Sequence, residues 1–292
     1  MLQYLLDGVL SGVLYSLFAV GFAMVYSTTR IFHLAAAGIY VFAGYLFHFL
    51  AETIGMPLIL SAFLAVLATA LLNGLCEWCV YRPLSRRKAT PFTMIVASVG
   101  LMTIIINGLA VLLGTSVRTI NHSFNHLFLI GPASLTTGQQ AQLIIGGLTL
   151  SITLLVVALT SAGTRLKAAS YDSGLFESLG YPMARIRSSV FLVGGFLIAL
   201  AACLDAYEVT FSLDMGFNAL ISALIAMIIG GVGSLAAAVL GGILLGILES
   251  LLRMIPGFAY AEQWISALVL GILLLFLFFR PQGLAGIKMR EV

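Results

Sequence analysis

The sequence predicts an all-α polytopic membrane protein of about nine (eight to ten) transmembrane helices, and three observations carry that expectation. The first is composition: of 292 residues, 61% are apolar and only 9% are charged, whereas soluble domains carry about 25% charged residues. That is too little charge to cover a water-exposed surface. The second is run length, because crossing ~30 Å of hydrocarbon takes ~20 apolar residues, and this chain repeats such runs with short connections. The third is the placement of basic residues, which cluster in alternate connections as cytoplasmic loops do.

The apolar runs are 4–26, 31–51, 56–80, 92–113, 141–162, 188–209, 217–252 and 263–279. The first run contains no Lys or Arg before Arg30, so it lacks the basic leader of a cleaved signal peptide and is expected to be a retained span. Residues 81–91 hold four basic groups and no acid, and residues 163–187 hold Arg165, Lys167, Arg185 and Arg187. Residues 217–252 are long for one span, and Gly230-Gly231-Val232-Gly233-Ser234 offers a turn where a buried helix can break. If the stretch crosses once, ten basic residues face four on the other side. If it crosses twice, twelve face only Arg118 and Arg253. The second count fits the bias better, giving nine crossings with the N-terminus outside and the C-terminus cytoplasmic. The whole chain, 1–292, is then one transmembrane domain with a cytoplasmic loop at 163–187 and a cytoplasmic tail at 281–292.

Glycines recur within the runs: Gly8 and Gly12, Gly38 and Gly44, Gly194 and Gly195, and Gly241, Gly242 and Gly246. Small residues let helix backbones approach where lipid gives no hydrophobic drive for association. Bundle packing explains them; a smooth-walled pathway able to change shape is the sharper reading.

Several chemistries are missing from the sequence. There is no Gly-x-x-x-x-Gly-Lys-Ser/Thr to hold a nucleotide, no His-Glu-x-x-His for zinc and no Gly-x-Ser-x-Gly elbow. No enzyme and no cofactor are expected. Cys76 and Cys79 form a Cys-x-x-Cys outside any strand-turn-helix setting, and His122 and His126 sit in an Asn-rich loop with no acidic ligand nearby, so neither pair reads as redox or metal chemistry. No basic stripe with interleaved aromatics suggests nucleic acid.

Polar groups inside the runs are the remaining candidates, because such groups face the bundle interior, pair, or line a path. They are His33, Tyr40, Asn73, Glu77, Asn107, Asp205, Glu208, Asn218 and Glu249. Asp205 and Glu208, at i and i+3, share a helix face. In the 163–187 loop, turn signals at Gly174, Gly180 and Pro182 leave room for a short helix whose Leu175, Phe176 and Leu179 form an apolar face. Such a helix lies on the membrane interface or docks in the groove of a partner.

Four segments together resemble one family. Gly8-Val9-Leu10-Ser11-Gly12-Val13-Leu14-Tyr15-Ser16-Leu17 is similar to a Gly-Leu-x-x-Gly-x-x-Tyr-Ala-Leu opening. Arg30-Ile31-Phe32-His33-Leu34-Ala35-Ala36-Ala37-Gly38-Ile39-Tyr40 aligns with Arg-Ile-Ile-Asn-Phe-Ala-His-Gly-Glu-x-Tyr, with His33 in place of Asn, Ala36 of His, Ala37 of Gly and Gly38 of Glu. Ser178-Leu179-Gly180-Tyr181 resembles a Leu-Leu-Gly-Ile-Asn loop. Ile229-Gly230-Gly231-Val232-Gly233-Ser234 with Gly241-Gly242, then Arg280-Pro281-Gln282-Gly283-Leu284, completes the pattern. The family is that of inner-membrane permease subunits of ATP-binding-cassette importers for branched-chain amino acids, the LivH type.

The resemblance implies a type II importer-like permease bundle in a bacterial inner membrane that moves amino acids or a related small polar solute inward. Its partners would be a second homologous permease subunit, two cytoplasmic ATP-binding subunits that hydrolyse the ATP, and an extracytoplasmic solute-binding protein. Coupling would fall to Tyr171, Asp172, Leu175, Phe176, Glu177, Leu179 and Gly180, and the translocation pathway to His33, Tyr40, Asn73 and Asn218. Two other classes stay open at this point. An ion-coupled secondary transporter needs an intramembrane carboxylate such as Glu77 or Asp205, and an intramembrane enzyme needs a constellation of catalytic groups.

Overall fold

A computed structural model describes residues 1–120, 127–130, 133–255, 262–280 and 283–284. His122, His126 and most of the 281–292 tail therefore lie outside the described residues. The helices are α1 (Leu2–Thr29), α2 (Ala36–His48), α3 (Leu58–Arg86), α4 (Pro91–Leu113), α5 (Thr137–Leu159), α6 (Ser161–Tyr171), α7 (Ser173–Ser178), α8 (Met183–Glu208), α9 (Met215–Gly230), α10 (Leu235–Arg253) and α11 (Glu262–Phe279). Among the described residues, six of them (α1, α3, α4, α5, α8 and α10) are long and apolar enough to cross a membrane. The other three long apolar segments are the shorter α2, α9 and α11.

Local chemistry sets the helix starts. Thr90 accepts from Thr93 N–H with Pro91 in the first turn of α4. Thr136 and Gln139 form a reciprocal capping box at α5, and Thr160, Asp172 and Ser234 cap α6, α7 and α10 through their side-chain oxygens. Each such cap is worth about 1 kcal/mol by satisfying an orphan N–H. Three five-residue π turns, Phe49–Thr53, Glu77–Tyr81 and Gln142–Gly146, widen α2, α3 and α5 locally, a feature common near functional sites.

α1 is the central post, with most of its length buried. It runs antiparallel to α10, with Gly8 opposite Ile247 and Gly12 opposite Ile243: a Cβ added at either glycine would stand 2.8 Å from the facing Cα. A second close crossing joins α1 to α8, where Gly21 and Gly194 each face the other's carbonyl oxygen. The long run 217–252 is two helices, α9 and α10, folded back to back through Gly231 and Gly233, both at positive φ. Gly230 abuts the Ala237 backbone and Gly241 abuts the Ala226 backbone, so the hairpin closes on small residues at both levels.

Two regions depart from the expected boundaries. Helix α2 starts at Ala36, not at 31, because Arg30 ends α1 in the left-handed conformation and residues 30–35 enter the bundle without helix. Most of 163–187 is helical: α6 buries Gly163, Leu166 and Ala169 at i, i+3 spacing, and α8 begins at Met183. The i, i+3 stripe is short and its Gly and Ala are weakly apolar, so hydropathy does not reveal it. The loop after α4 carries a hairpin of β1 (Leu127–Ile130) and β2 (Ala133–Thr136), antiparallel with Leu127 opposite Thr136.

Contacts sort the connections into two ends. Arg30 donates to Ser170 O (3.3 Å), Arg187 donates to Ser85 Oγ (2.6 Å), and Leu284 N–H donates to Ile229 O (2.9 Å). These tie the end of α1, the end of α3, α6, the α9–α10 turn and the segment after α11 to one end, the basic one. At the opposite end Gln3 bonds the Ser134 backbone, Thr136 bonds Glu208, and Arg118 pairs with Phe211.

Candidate functional site

At the basic end, α6 and α7 form a protruding knob. Asp172 breaks the helix with an extended backbone, and its carboxylate then accepts from Leu175 N–H at 2.9 Å to start α7. Phe176 is buried at 4% exposure against Ala169, Met183 and Ile186, and it stacks on Tyr181 with ring centroids 5.0 Å apart. Burying that ring contributes about 1.5–3 kcal/mol and anchors the knob to the base of α8. Gly180, at φ 84°, donates to Glu177 O and reverses the chain toward Pro182.

The expected apolar face is split by this anchoring. Phe176 points inward, while Leu175 (58% exposed), Leu179 (66%), Tyr171 (63%) and Tyr181 stand outward. Leu175 and Leu179, at i and i+4, share one outward face, a full helical step from Phe176. Asp172, Glu177 and Gly180 are exposed beside them. Six of the seven residues singled out for coupling thus form an accessible patch, and the seventh holds it in place.

Behind the knob, Glu77 is fully buried and pairs with Arg187 (Oε1 to Nε, 3.5 Å); Ser188 donates to its other oxygen at 3.2 Å. The carboxylate therefore fastens α3 to the start of α8, at the place where the knob meets the bundle. Its arginine partner disfavours the ion-site reading of Glu77.

His33, Asn73 and Tyr40 are buried, and Asn218 is exposed in the first turn of α9. His33 Nδ1 lies 2.9 Å from Tyr81 Oη and its Nε2 lies 2.8 Å from Asn73 Oδ1. Asn73 donates onward to Phe191 O (2.8 Å), Tyr81 donates to Ser98 Oγ (2.8 Å), and Ser98 Oγ accepts Ala35 N–H (2.9 Å). One network thus ties α3, α4 and α8 to the non-helical 30–35 segment and satisfies backbone that hydrocarbon would leave unpaired.

A second polar layer holds two carboxylate–tyrosine pairs. Tyr40 donates to Asp205 and Tyr15 donates to Glu249, each at 2.6 Å. Tyr40 also stacks between Phe18 and Phe211. Sequence reasoning did not single out Tyr15, Tyr81, Ser98 or Arg187 for these clusters. Only Arg187 carried a signal, as a basic residue placed just before an apolar run; lone Tyr and Ser within apolar runs read as packing. Among the described residues, no group of His, Cys, Asp or Glu is arranged to hold a metal ion.

The profile of the family described as branched-chain amino acid transport system / permease component matches residues 4–278. The chain is 27% identical to the high-affinity branched-chain amino acid transport system permease protein BraD of Pseudomonas aeruginosa, across 98% of this chain and 95% of that protein. It is 25% identical to the permease protein LivH of Escherichia coli K12 over the same shares. A probable LivH permease of Methanocaldococcus jannaschii is 22% identical, across 94% of this chain and 90% of that one. The solved structure of PsaBC from Streptococcus pneumoniae in complex with Fab shares the fold, with a TM-score of 0.55 over 96% of this chain and 93% of that chain at 13% identity. With a match running from α1 to the last turns of α11, the chain belongs to the family of branched-chain amino acid transport system permease components.

Proposed function

We propose that this chain, a permease subunit of an ATP-binding-cassette importer, is driven by cytoplasmic ATPase subunits that dock on Tyr171, Leu175, Leu179 and Tyr181. The observation that carries the reading is an exposed apolar patch on a short, well-anchored helix at the basic end. An amphipathic helix of this kind fits a groove in a partner, and exposed leucines and tyrosines in a charged loop are otherwise costly to leave in water. Phe176, Glu77 and Arg187 would transmit the push from the knob to α8 and α3. Closure of the ATPases then biases the bundle between two packings, one open outward and one inward.

The orientation follows from the basic bias: the end carrying Arg30, residues 82–88, α6 and α7 faces the cytoplasm, which leaves the N-terminus outside and the C-terminus inside. A second permease subunit and an extracytoplasmic solute-binding protein complete the assembly, with ATP hydrolysis on the separate subunits. Of the four pathway candidates, Asn218 offers its side chain to a path directly, while His33, Tyr40 and Asn73 support the wall from within.

The solute is an amino acid or a related small polar molecule. Gly38 stands where the resembled stretch has Glu, and a Cβ there would meet Ile105 at 3.2 Å. A position that is polar in the resembled stretch is thus closed apolar packing here, which favours a solute preference different from the relatives'. The test of the central reading is Leu175→Asp with Leu179→Asp. Membrane insertion should persist, while copurification with the ATPases and ATP-dependent uptake are lost. Uptake at the wild-type level in the double variant would overturn it.

A further inference from the structure

Beside the knob, two cavities of about 380 Å³ each meet along Ser27, Ser170 and Tyr171. Each lies within the ~300–1,000 Å³ of small-molecule sites. Their walls differ in chemistry. The first is bounded by Leu154, Val157 and Ala158 in the last turns of α5, by Leu235 and Ala236 at the start of α10, and by Lys167 of α6. The second is bounded by Arg30, Asp172 and Ser173. Joined, they make an elongated site with an apolar arm beside the end of a membrane-spanning helix and a charged arm just beyond it. Leu154 lies about 8 Å before the end of α5 at 1.5 Å per residue, and the charged arm is built from the helices that follow it and from the end of α1.

We propose that this is a binding site for a phospholipid whose headgroup carries both a phosphate and a primary amine, of the phosphatidylethanolamine type. One acyl chain lies along Leu154, Val157 and Leu235. The phosphate is held by Lys167 and Arg30, whose guanidinium is kept at the shared rim by its bond to Ser170 O. The amine meets Asp172, whose Oδ1 accepts Leu175 N–H at 2.9 Å as the cap of α7. Basic pockets between membrane helices at the headgroup level are where lipid phosphates bind, and the carboxylate makes a zwitterionic headgroup a better electrical match than an anionic one. Because Asp172 both caps α7 and faces the headgroup, a bound lipid would brace the joint between α6 and α7.

The test is native mass spectrometry of the full-length chain in detergent, titrated with phosphatidylethanolamine or phosphatidylglycerol. Lys167→Glu removes a charge-assisted contact to phosphate and should weaken phosphatidylethanolamine binding about tenfold. Ala158→Phe, which fills the apolar arm, should give a similar loss, while Arg87→Glu at the same end of the molecule should leave binding unchanged. Wild-type affinity in both Lys167→Glu and Ala158→Phe would overturn the proposal. So would tighter binding of phosphatidylglycerol, or full displacement of the lipid when the ATPase subunits are added, which would assign the cavity to a protein partner.

Discussion

Gly242→Ala adds one methyl group where α10 crosses α1, and the structure sets its effect. The new Cβ would stand 2.6 Å from Ser16 N and 2.8 Å from Ser16 Cα, whereas ordinary contact begins at 3.4 Å. The two backbones must therefore part by roughly 0.8 Å, and main-chain atoms cannot swing aside as a side chain can. Overpacking of this kind costs about 1–3 kcal/mol. The same methyl displaces Ser16 Oγ, which donates to Gly12 O at 2.7 Å and to Val239 O at 2.9 Å, adding about 0.5–1.5 kcal/mol for a lost bond. Alanine recovers up to about 1 kcal/mol of helix propensity, so the net loss is about 0.5–4.5 kcal/mol. Gly100→Ala on α4, where a Cβ meets nothing within 4 Å, is the matched control and should be neutral or slightly stabilising. Unfolding of the purified chain by SDS titration, followed by circular dichroism, measures both. Equal stability of the two variants would refute the argument that the α1–α10 seam requires glycine.

The buried pair is expected to respond asymmetrically: Arg187→Met strands the Glu77 carboxylate and should cost about 3–5 kcal/mol, whereas adding Glu77→Leu to it should recover most of that loss in the same titration. Tyr81→Phe removes the hydroxyl shared by His33 and Ser98, and should lower stability by about 1–3 kcal/mol for the buried groups left unpaired; an unchanged midpoint would contradict the network. Phe176→Asp should release the knob while the bundle stays folded, so that limited proteolysis cuts between residues 171 and 182 with little shift in the global midpoint, and uptake uncouples. Protection equal to wild type would show that Phe176 is not the anchor.

Much of this molecule is written in one dimension. A span needs a minimum run of apolar residues, so hydropathy alone located the long helices, and Gly230 to Ser234 marked the break that makes two helices of 217–252. The positive-inside bias grouped Arg30 with the 81–91 and 163–187 loops, and the structure brings those same segments to one end. The turn at Gly180 was legible too, because positive φ is a local requirement, whereas Gly174, also expected to turn, lies inside α7, and the Asp172 cap was not foreseen.

What the sequence left open depends on how each helix is rotated about its axis and where it crosses its neighbours. Gly100, Gly108 and Gly147 look no different in sequence from Gly12, Gly242 and Gly246, yet the first three face open space and the others touch backbone. Leu175, Phe176 and Leu179 read as one apolar face until Ala169, Met183 and Ile186 claim the phenyl ring and turn the leucines outward. Glu77 looked like an ion site until α8 delivered Arg187 from 110 positions away along the chain. Hydropathy by itself determined that this chain forms membrane helices and where its long apolar runs lie, because apolar transfer depends on local composition. Only the tertiary structure decided which residues meet, because contact between helices depends on sub-ångström distances that no single segment encodes.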